Sequence, residues 1–559
     1  MSALVTSIRR RGRMLVTALL FGVPVLAQGP SQGLSHGPRL LLIPLDDRPS
    51  SVDFPVRIGA IAGATVVTPP RERLGRFTQP ADVDAVQRWM RTTLALDSRG
   101  SAGSLDAAPV DALIVSIDLL VYGGLVASRT LESASAEQAL ARVQILREIR
   151  ARYPRLPIYA SASLMRLAPT ADGRNESYRE ALARWAEIAP DSMRPAAAEE
   201  LIRLQTRIPE TILTAYRTAR ARNLRVHQAL VDLSAEGVLT HLVFTQDDAR
   251  ARGVHLGERQ HLTAQVARRG LHDRISIQSG TDEFGMLLVA RALTALHGRA
   301  PKVAVQYVAP GDSARLMPFE DRPLAETVGA HLRLAGARIA DAASAQRAGD
   351  VALRLVVHTA RGMRGDAAPL TGGSERAAAL VRASPSPVIL ADLDPTGSIQ
   401  GADTILTDLL TTSGGFATLA GYGGWNTAGN AIGTAVAQGV VWWLASRDSR
   451  VAPRAGSPGQ TAQAAFLLDR WLEDDLYKSR IRPAQAASIR ARGWDPFRLT
   501  DGQAVLVEGE IRAAVRERIT MMTDLSGVIG ARCRLTSPVD VRLPWGRTFE
   551  AAFDFRIFC

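Results

Sequence analysis

Short apolar runs punctuate this chain, and many of them end in acid. LLLIPLDDR closes on Asp46 and Asp47, DALIVSID on Asp118, and HLVFTQDD on Asp247 and Asp248. RISIQSGTDE closes on Asp282 and Glu283, and SPVILADLD on Asp392 and Asp394. Brief Val/Ile/Leu runs of this kind are the pattern of parallel strands buried on both faces. They predict strands over 40–45, 65–68, 112–117, 158–163, 241–245 and 275–278. A second series is predicted over 302–308, 353–358, 388–391 and 417–421. Helical periodicity fills the intervals. Ser135 and Gln138 read as a capping box, with Leu140, Val143, Leu146 and Ile149 recurring on one face behind it. The span 177–233 is largely helical but interrupted by Pro190, Pro195 and Pro209. It is too long for one crossover and reads as an insertion beside a cleft.

Strands alternating with helices predict an α/β fold. The expected architecture is a β/α-barrel-like or doubly wound parallel sheet over 40–299, carrying the insertion 177–233. A second α/β unit follows over 300–456, then a helical segment and a short β tail over 457–559. Ligands of such sheets bind at the carboxyl ends of the strands. Acids repeated there therefore predict a polar site, and an enzyme cleft above all.

The N-terminus changes the expected compartment. Arg9, Arg10, Arg11 and Arg13 precede a short apolar stretch ending in Val25-Leu26-Ala27. This is the pattern of a signal peptide over 1–27, followed by a linker over 28–39. The protein is expected to be secreted or periplasmic, with no stable membrane span, since no later apolar run is long enough. The two cysteines, Cys533 and Cys559, lie in the tail and flank alternating residues around a Pro-Trp-Gly turn. A disulfide stapling a hairpin-like unit is expected. The formal charge of +12 invites a nucleic-acid reading. The arginines, however, are interspersed with acids, and four of them leave with the leader. No nucleic-acid partner is expected.

Candidate chemistry clusters at the strand ends. Asp46, Asp47 and Arg48 can bind sugar hydroxyls, or serve as a turn leading into Pro49. Asp118 leads into Tyr122 and then Arg129, either as a binding edge or as a tight turn. Arg166 and Glu176 are weaker substrate-binding candidates. Asp247, Asp248, Asp282 and Glu283 are the catalytic candidates, because glycoside cleavage uses two carboxyl groups. In one form, Glu283 is the acid and Asp282 orients a 2-acetamido group. The competing reading of that pair is a helix N-terminus. In GYGGWNTAGN, Trp425 is a candidate for stacking on a sugar, and Asn426 and Asn430 for holding hydroxyls. The competing reading is a cap with close packing by Gly429 and Gly433. There is no HExxH, no Cys/His metal spacing and no GxSxG, so no metal or cofactor is expected in the leading reading.

The strings PLDDRP, DLLVYGGLVASR, TQDDA, GTDE, GYGGWNTAGN and LPWGRTFE, in this order, resemble the bacterial domain-of-unknown-function family 4127. The resemblance runs from about Leu40 to Phe555. It implies one complete bacterial unit and assigns no chemistry. The leading expectation is thus a secreted glycoside hydrolase acting on an envelope or environmental glycan, more specifically one containing N-acetylhexosamine. One alternative is a hydrolase of phosphoester or amide bonds, with Mg²⁺, Mn²⁺ or Ca²⁺ on Asp46, Asp47, Asp118 and Asp247. The other is a non-catalytic periplasmic ligand-binding protein.

Overall fold

The computed structural model describes residues 37–95, 109–309, 311–347, 349–361, 372–450, 452, 456–522 and 524–559. The expected signal peptide and most of the expected linker lie outside these residues. The first series of apolar runs forms a six-stranded, all-parallel sheet. Its strands are β1 (Arg39–Ile43), β2 (Thr65–Val67), β3 (Ala112–Ser116), β4 (Ile158–Leu164), β5 (His241–Gln246) and β6 (Ile275–Ser279). The spatial order is β2-β1-β3-β4-β5-β6, and β2 and β6 are not paired with each other. The sheet is therefore open and doubly wound, and the barrel-like alternative is not adopted. Alternate residues face opposite layers. Leu40 and Leu42 pack with Phe54, Ile58 and Leu287. Leu41 and Ile43 pack with Val86, Met90 and Leu146.

The second series forms β7 (Lys302–Tyr307), β8 (Arg338–Ile339), β9 (Leu353–His358), β10 (Val388–Asp392) and β11 (Gly421–Gly423). The order β11-β10-β9-β7-β8 repeats the arrangement of the first sheet, with the second strand outside the first. The two sheets share a core. Leu287 and Leu293 of the helix Phe284–His297 and Ile432 and Val436 of the helix Ala428–Ser446 belong to one buried cluster with Leu40 of β1 and Leu355 of β9. The expected strand at 417–421 is displaced. Phe416–Thr418 is a 3₁₀ turn, and the strand falls on the glycines behind it. Helix Ala428–Ser446 lies so close that a Cβ on Gly421 would meet the Ala435 carbonyl oxygen at 2.2 Å, and one on Gly423 the Ala431 oxygen at 2.3 Å.

The insertion is three helices, Glu176–Ile188, Pro195–Gln205 and Glu210–Ala235, the second and third starting at or just after a proline. The capping box at Ser135 and Gln138 is present. After 457, helix Pro458–Arg470 runs into a wide π-helical segment, Trp471–Ile481. The tail pairs β12 (Arg534–Leu535) with β15 (Ile557–Phe558), and β13 (Asp540–Arg542) with β14 (Ala552–Asp554), both antiparallel. A disulfide joins Cys533 to Cys559 across a separation of 26 residues. Closing a loop of that order restricts the unfolded chain by about 3 kcal/mol. Replacing both cysteines with serine is expected to accelerate amide exchange in 534–558 while leaving the sheets protected. Unchanged exchange in the tail would contradict this. Among the described residues, no helix is long and apolar enough to cross a membrane.

Candidate functional site

The order of the first sheet reverses between β1 and β3, and a crevice opens at the carboxyl ends of strands where order reverses. A cleft of about 900 Å³ lies there. One wall comes from strand-end loops of the first sheet: Arg48, Arg129, Arg166, Asp247, Asp248 and Asp282. Further lining comes from Phe319, Gln400 and Asn426 and from the far C-terminus, with Arg482, Phe497, Trp545, Arg547 and Glu550.

Three of the cleft's aspartates are tied to arginines. After β1, Asp46 folds back on its own turn. Its Oδ1 accepts from the Arg48 backbone N–H (3.1 Å) and the Ser51 hydroxyl (2.8 Å), and its Oδ2 accepts from Arg48 Nε and Nη2. The other side of the same guanidinium donates to both oxygens of Asp282, at 2.7 and 3.3 Å. Arg48 is thus a buried cation held between two carboxylates. Despite burial, Asp282 and Asp46 together raise its pKa. Arg129 donates to Asp247, and both side chains are buried. Arg166 donates to Asp248 at 2.6 Å. Asp248 sits at φ 23°, a conformation disfavoured for a non-glycine residue, and its side chain is 39% exposed.

Glu550 differs. It lines the cleft and is buried, and its carboxyl has no hydrogen-bond or contact ion-pair partner among the described residues. Burial pushes it up to about 7, with Arg48 and Lys478 opposing that rise and Glu473 and Asp282 adding to it. Two aromatic rings stand open to the cleft, Phe319 (43% exposed) and Phe497 (44%). Phe319 is held at φ 67°, an outlier for a bulky residue that calls for a reason. Trp545 at φ 63° donates Nε1–H to Asp47 at 2.6 Å and stacks on Phe77. It fastens the tail to the end of β1, and burial raises the Asp47 carboxyl.

Several expected site residues lie elsewhere. Glu283 is fully buried, not in the cleft. Its Oε1 is 2.9 Å from His331 Nε2, and its Oε2 accepts from Asn430 Nδ2 (2.7 Å) and the Thr281 N–H (3.1 Å). Gly433 makes room for it, since a Cβ there would lie 2.3 Å from Glu283 Cγ. Asp282 and Glu283 therefore face opposite ways, and the expected acetamido-orienting pair does not form. Trp425 is 1% exposed, donates to the Thr434 hydroxyl and packs edge-on to Phe54, so it is core rather than a sugar platform. Asn430 closes the capping box of helix Ala428–Ser446 from Thr427 and backs only a small recess of the cleft. Asn426 does reach the cleft.

Asp118 is buried beneath the cleft rather than lining it. It accepts from the Ser163 N–H at 2.9 Å, and burial lifts it to about 6. Tyr122 is buried with the Arg222 guanidinium 4.3 Å from its ring centre. Glu176 is exposed in the first turn of its helix and is not among the residues that line the cleft. Asp392 is buried on Arg361, and Asp394 shapes its own loop through the N–H groups of Thr396, Ile399 and Gln400. The four acids of the metal alternative are each bonded to a protein donor. Among the described residues, no group of three or more His, Cys, Asp or Glu is placed to hold a metal ion.

Glu283→Gln is expected to cost about 1–3 kcal/mol of stability through its buried hydrogen bonds, and to leave the pH profile of any turnover unshifted. A shifted profile in a folded variant would return Glu283 to the chemistry.

No curated protein and no solved structure matches this chain. A family model described as "Protein of unknown function (DUF4127)" does, over residues 40–554. That match spans both sheets, the π-helical segment and the tail that completes the cleft, and the chain belongs to the DUF4127 family.

Proposed function

We propose that the cleft is the active site of a glycoside hydrolase, with Glu550 as proton donor and Asp282 as its partner carboxylate. The observation that carries this reading is Glu550 itself, a cleft carboxyl without a hydrogen-bond partner, pushed by burial to about 7. Titratable groups whose surroundings differ this much are the usual basis for dividing acid and base roles. Glu550 gives its proton to the leaving glycosidic oxygen as the bond to the anomeric carbon breaks. A water attacks that carbon and yields its proton to Asp282, which Arg48 holds in place. Phe319 and Phe497 supply apolar faces for sugar rings.

The donor must be protonated, so the rate should be high below about pH 7 and fall above it. The test is turnover by the mature chain on a panel of chromogenic glycosides, with and without chelator. Release from one sugar class, insensitive to chelator, supports the reading. Silence across the panel from folded protein overturns it. A hinged binding protein is less well supported, because the two sheets share a continuous core rather than flanking a linker. Export belongs to the same proposal and is supported by the Cys533–Cys559 disulfide. An N-terminus near Gln28 on protein recovered from outside the cytoplasm checks it.

A further inference from the structure

The proposed proton transfer leaves Arg547 unused. Its guanidinium lines the cleft, mostly buried, and it has no carboxylate in contact and no hydrogen-bond acceptor among the described residues. Phe77, Phe497 and Phe549 surround it, with ring centres 5.1, 5.9 and 5.7 Å from its central carbon. Burial, offset only in part by Glu550 and reinforced by Arg48 and Arg166, draws its pKa down to about 10. Three further cleft arginines, Arg179, Arg482 and the exposed Arg490, lack an acid in contact among the described residues. Arg179 donates Nε–H to the Pro169 carbonyl, and burial and Arg166 lower its pKa. Arg482 donates to the carbonyls of Phe549 and Ile399.

Arg48, Arg129 and Arg166 touch acids, whereas Arg179, Arg482 and Arg547 are opposed by acids only at a distance, and burial still draws the pKa of all three down. A desolvated cation left uncompensated is costly. A cleft that keeps such groups is suited to a ligand that brings the missing negative charge. A planar guanidinium pairs with carboxylate and with sulfate or phosphate oxygens alike.

We propose that Arg547, with Arg179 and Arg482, forms a subsite for an oxyanion group on the substrate, so that the substrate is an acidic saccharide. This rests on the saccharide reading above and narrows it to sugars bearing a carboxylate or a sulfate ester. The test is binding, measured by titration calorimetry on the full mature chain. The probes are a galacturonate trisaccharide, a sulfated galactose trisaccharide, the neutral galactose trisaccharide and inorganic phosphate. The variants are Arg547→Gln and Arg547→Lys, each checked for an unchanged melting transition.

At least one acidic trisaccharide should bind tenfold or more tighter than the neutral one, and its affinity should weaken with added salt. Arg547→Gln should abolish that preference and Arg547→Lys should recover part of it. Whichever acidic probe binds identifies the source of the oxyanion. Equal binding of neutral and acidic sugars, or an Arg547→Gln variant that keeps the preference, overturns the subsite and leaves the saccharide reading standing. Phosphate binding lost in Arg547→Gln, with no sugar bound, supports the anion subsite and sinks the saccharide reading. No binding of any probe overturns both.

Discussion

Replacing Arg470 with methionine is expected to destabilise the protein by about 3–5 kcal/mol, the usual cost of leaving buried charges without their partner. Arg470 is 1% exposed and donates to Asp469 (2.9 Å), Glu473 (2.9 Å) and Asp474 (2.8 Å). Its guanidinium also lies 3.8 Å from the ring centre of Phe54. The π-helical segment Trp471–Ile481 keeps Glu473, Asp474, Asp475 and Lys478 inside together, and Arg470, Arg57 and Lys478 balance the acids nearest them. Asp474 also accepts the Gly424 N–H at 2.8 Å, so the damage should spread to the loop that carries Asn426.

The pH dependence has a definite sign. Burial raises Asp474 from 3.8 to about 7 in the folded state, against Arg470. Between those values the native state holds more protons than the unfolded one, and its stability falls as pH rises. Without Arg470 the Asp474 carboxyl should rise further, so that fall should extend to higher pH and the variant should be rescued in part by mild acid. Urea unfolding at pH 5 and pH 8 reads both effects. Equal midpoints for the two proteins at pH 8 would show that the cluster carries no such stability.

Replacing Glu550 with glutamine is expected to lower kcat by about 10²–10⁴-fold on whichever glycoside the protein cleaves, the range for removing a positioned proton donor. KM should change little, because the loss falls on proton transfer. Glutamine keeps the size of the side chain, and Glu550 has no hydrogen-bond partner to forfeit, so the fold should persist. The decline in rate above about pH 7 should vanish with the carboxyl. A glycoside with an activated leaving group, which needs less protonation, should lose least. If kcat stays within a factor of about three of the parent while the pH limb remains, the donor is another group.

Much of the architecture was legible because it rests on local patterns. LLLI, ALIVS and HLVFTQ are strands buried on both faces, and their apolar runs mark them within a residue or two. The acids behind them mark the right end of the sheet. Their individual roles were not legible, because a dipeptide does not reveal which side chain turns inward. Asp282 faces the cleft on Arg48, while its neighbour Glu283 turns to His331 and Asn430 in a space left by Gly433. Trp425 in its glycine-rich string resembles a binding platform, but Phe54 and Thr434 enclose it.

The C-terminal part of the lining carries no local mark at all. Trp545, Arg547 and Glu550 follow β1 by some five hundred residues, and no periodicity signals that the tail returns to Asp47. The string LPWGRTFE was visible, but it read as a turn. WLEDDLYK falls in the stretch after 457 that the sequence marks only as helical. Its acids are buried only because Arg470 and Lys478 are buried with them, a tertiary fact.

The claim that Glu550 is the cleft's proton donor can be tested before any substrate is known. Glutamate labelled with ¹³C at the side-chain carboxyl, titrated by NMR in the parent protein and in Glu550→Gln, isolates this one group by difference. A resonance that titrates near pH 7 and is absent from the variant is expected. A Glu550 resonance that titrates in the ordinary range of an exposed glutamate, about 4.3, would contradict it.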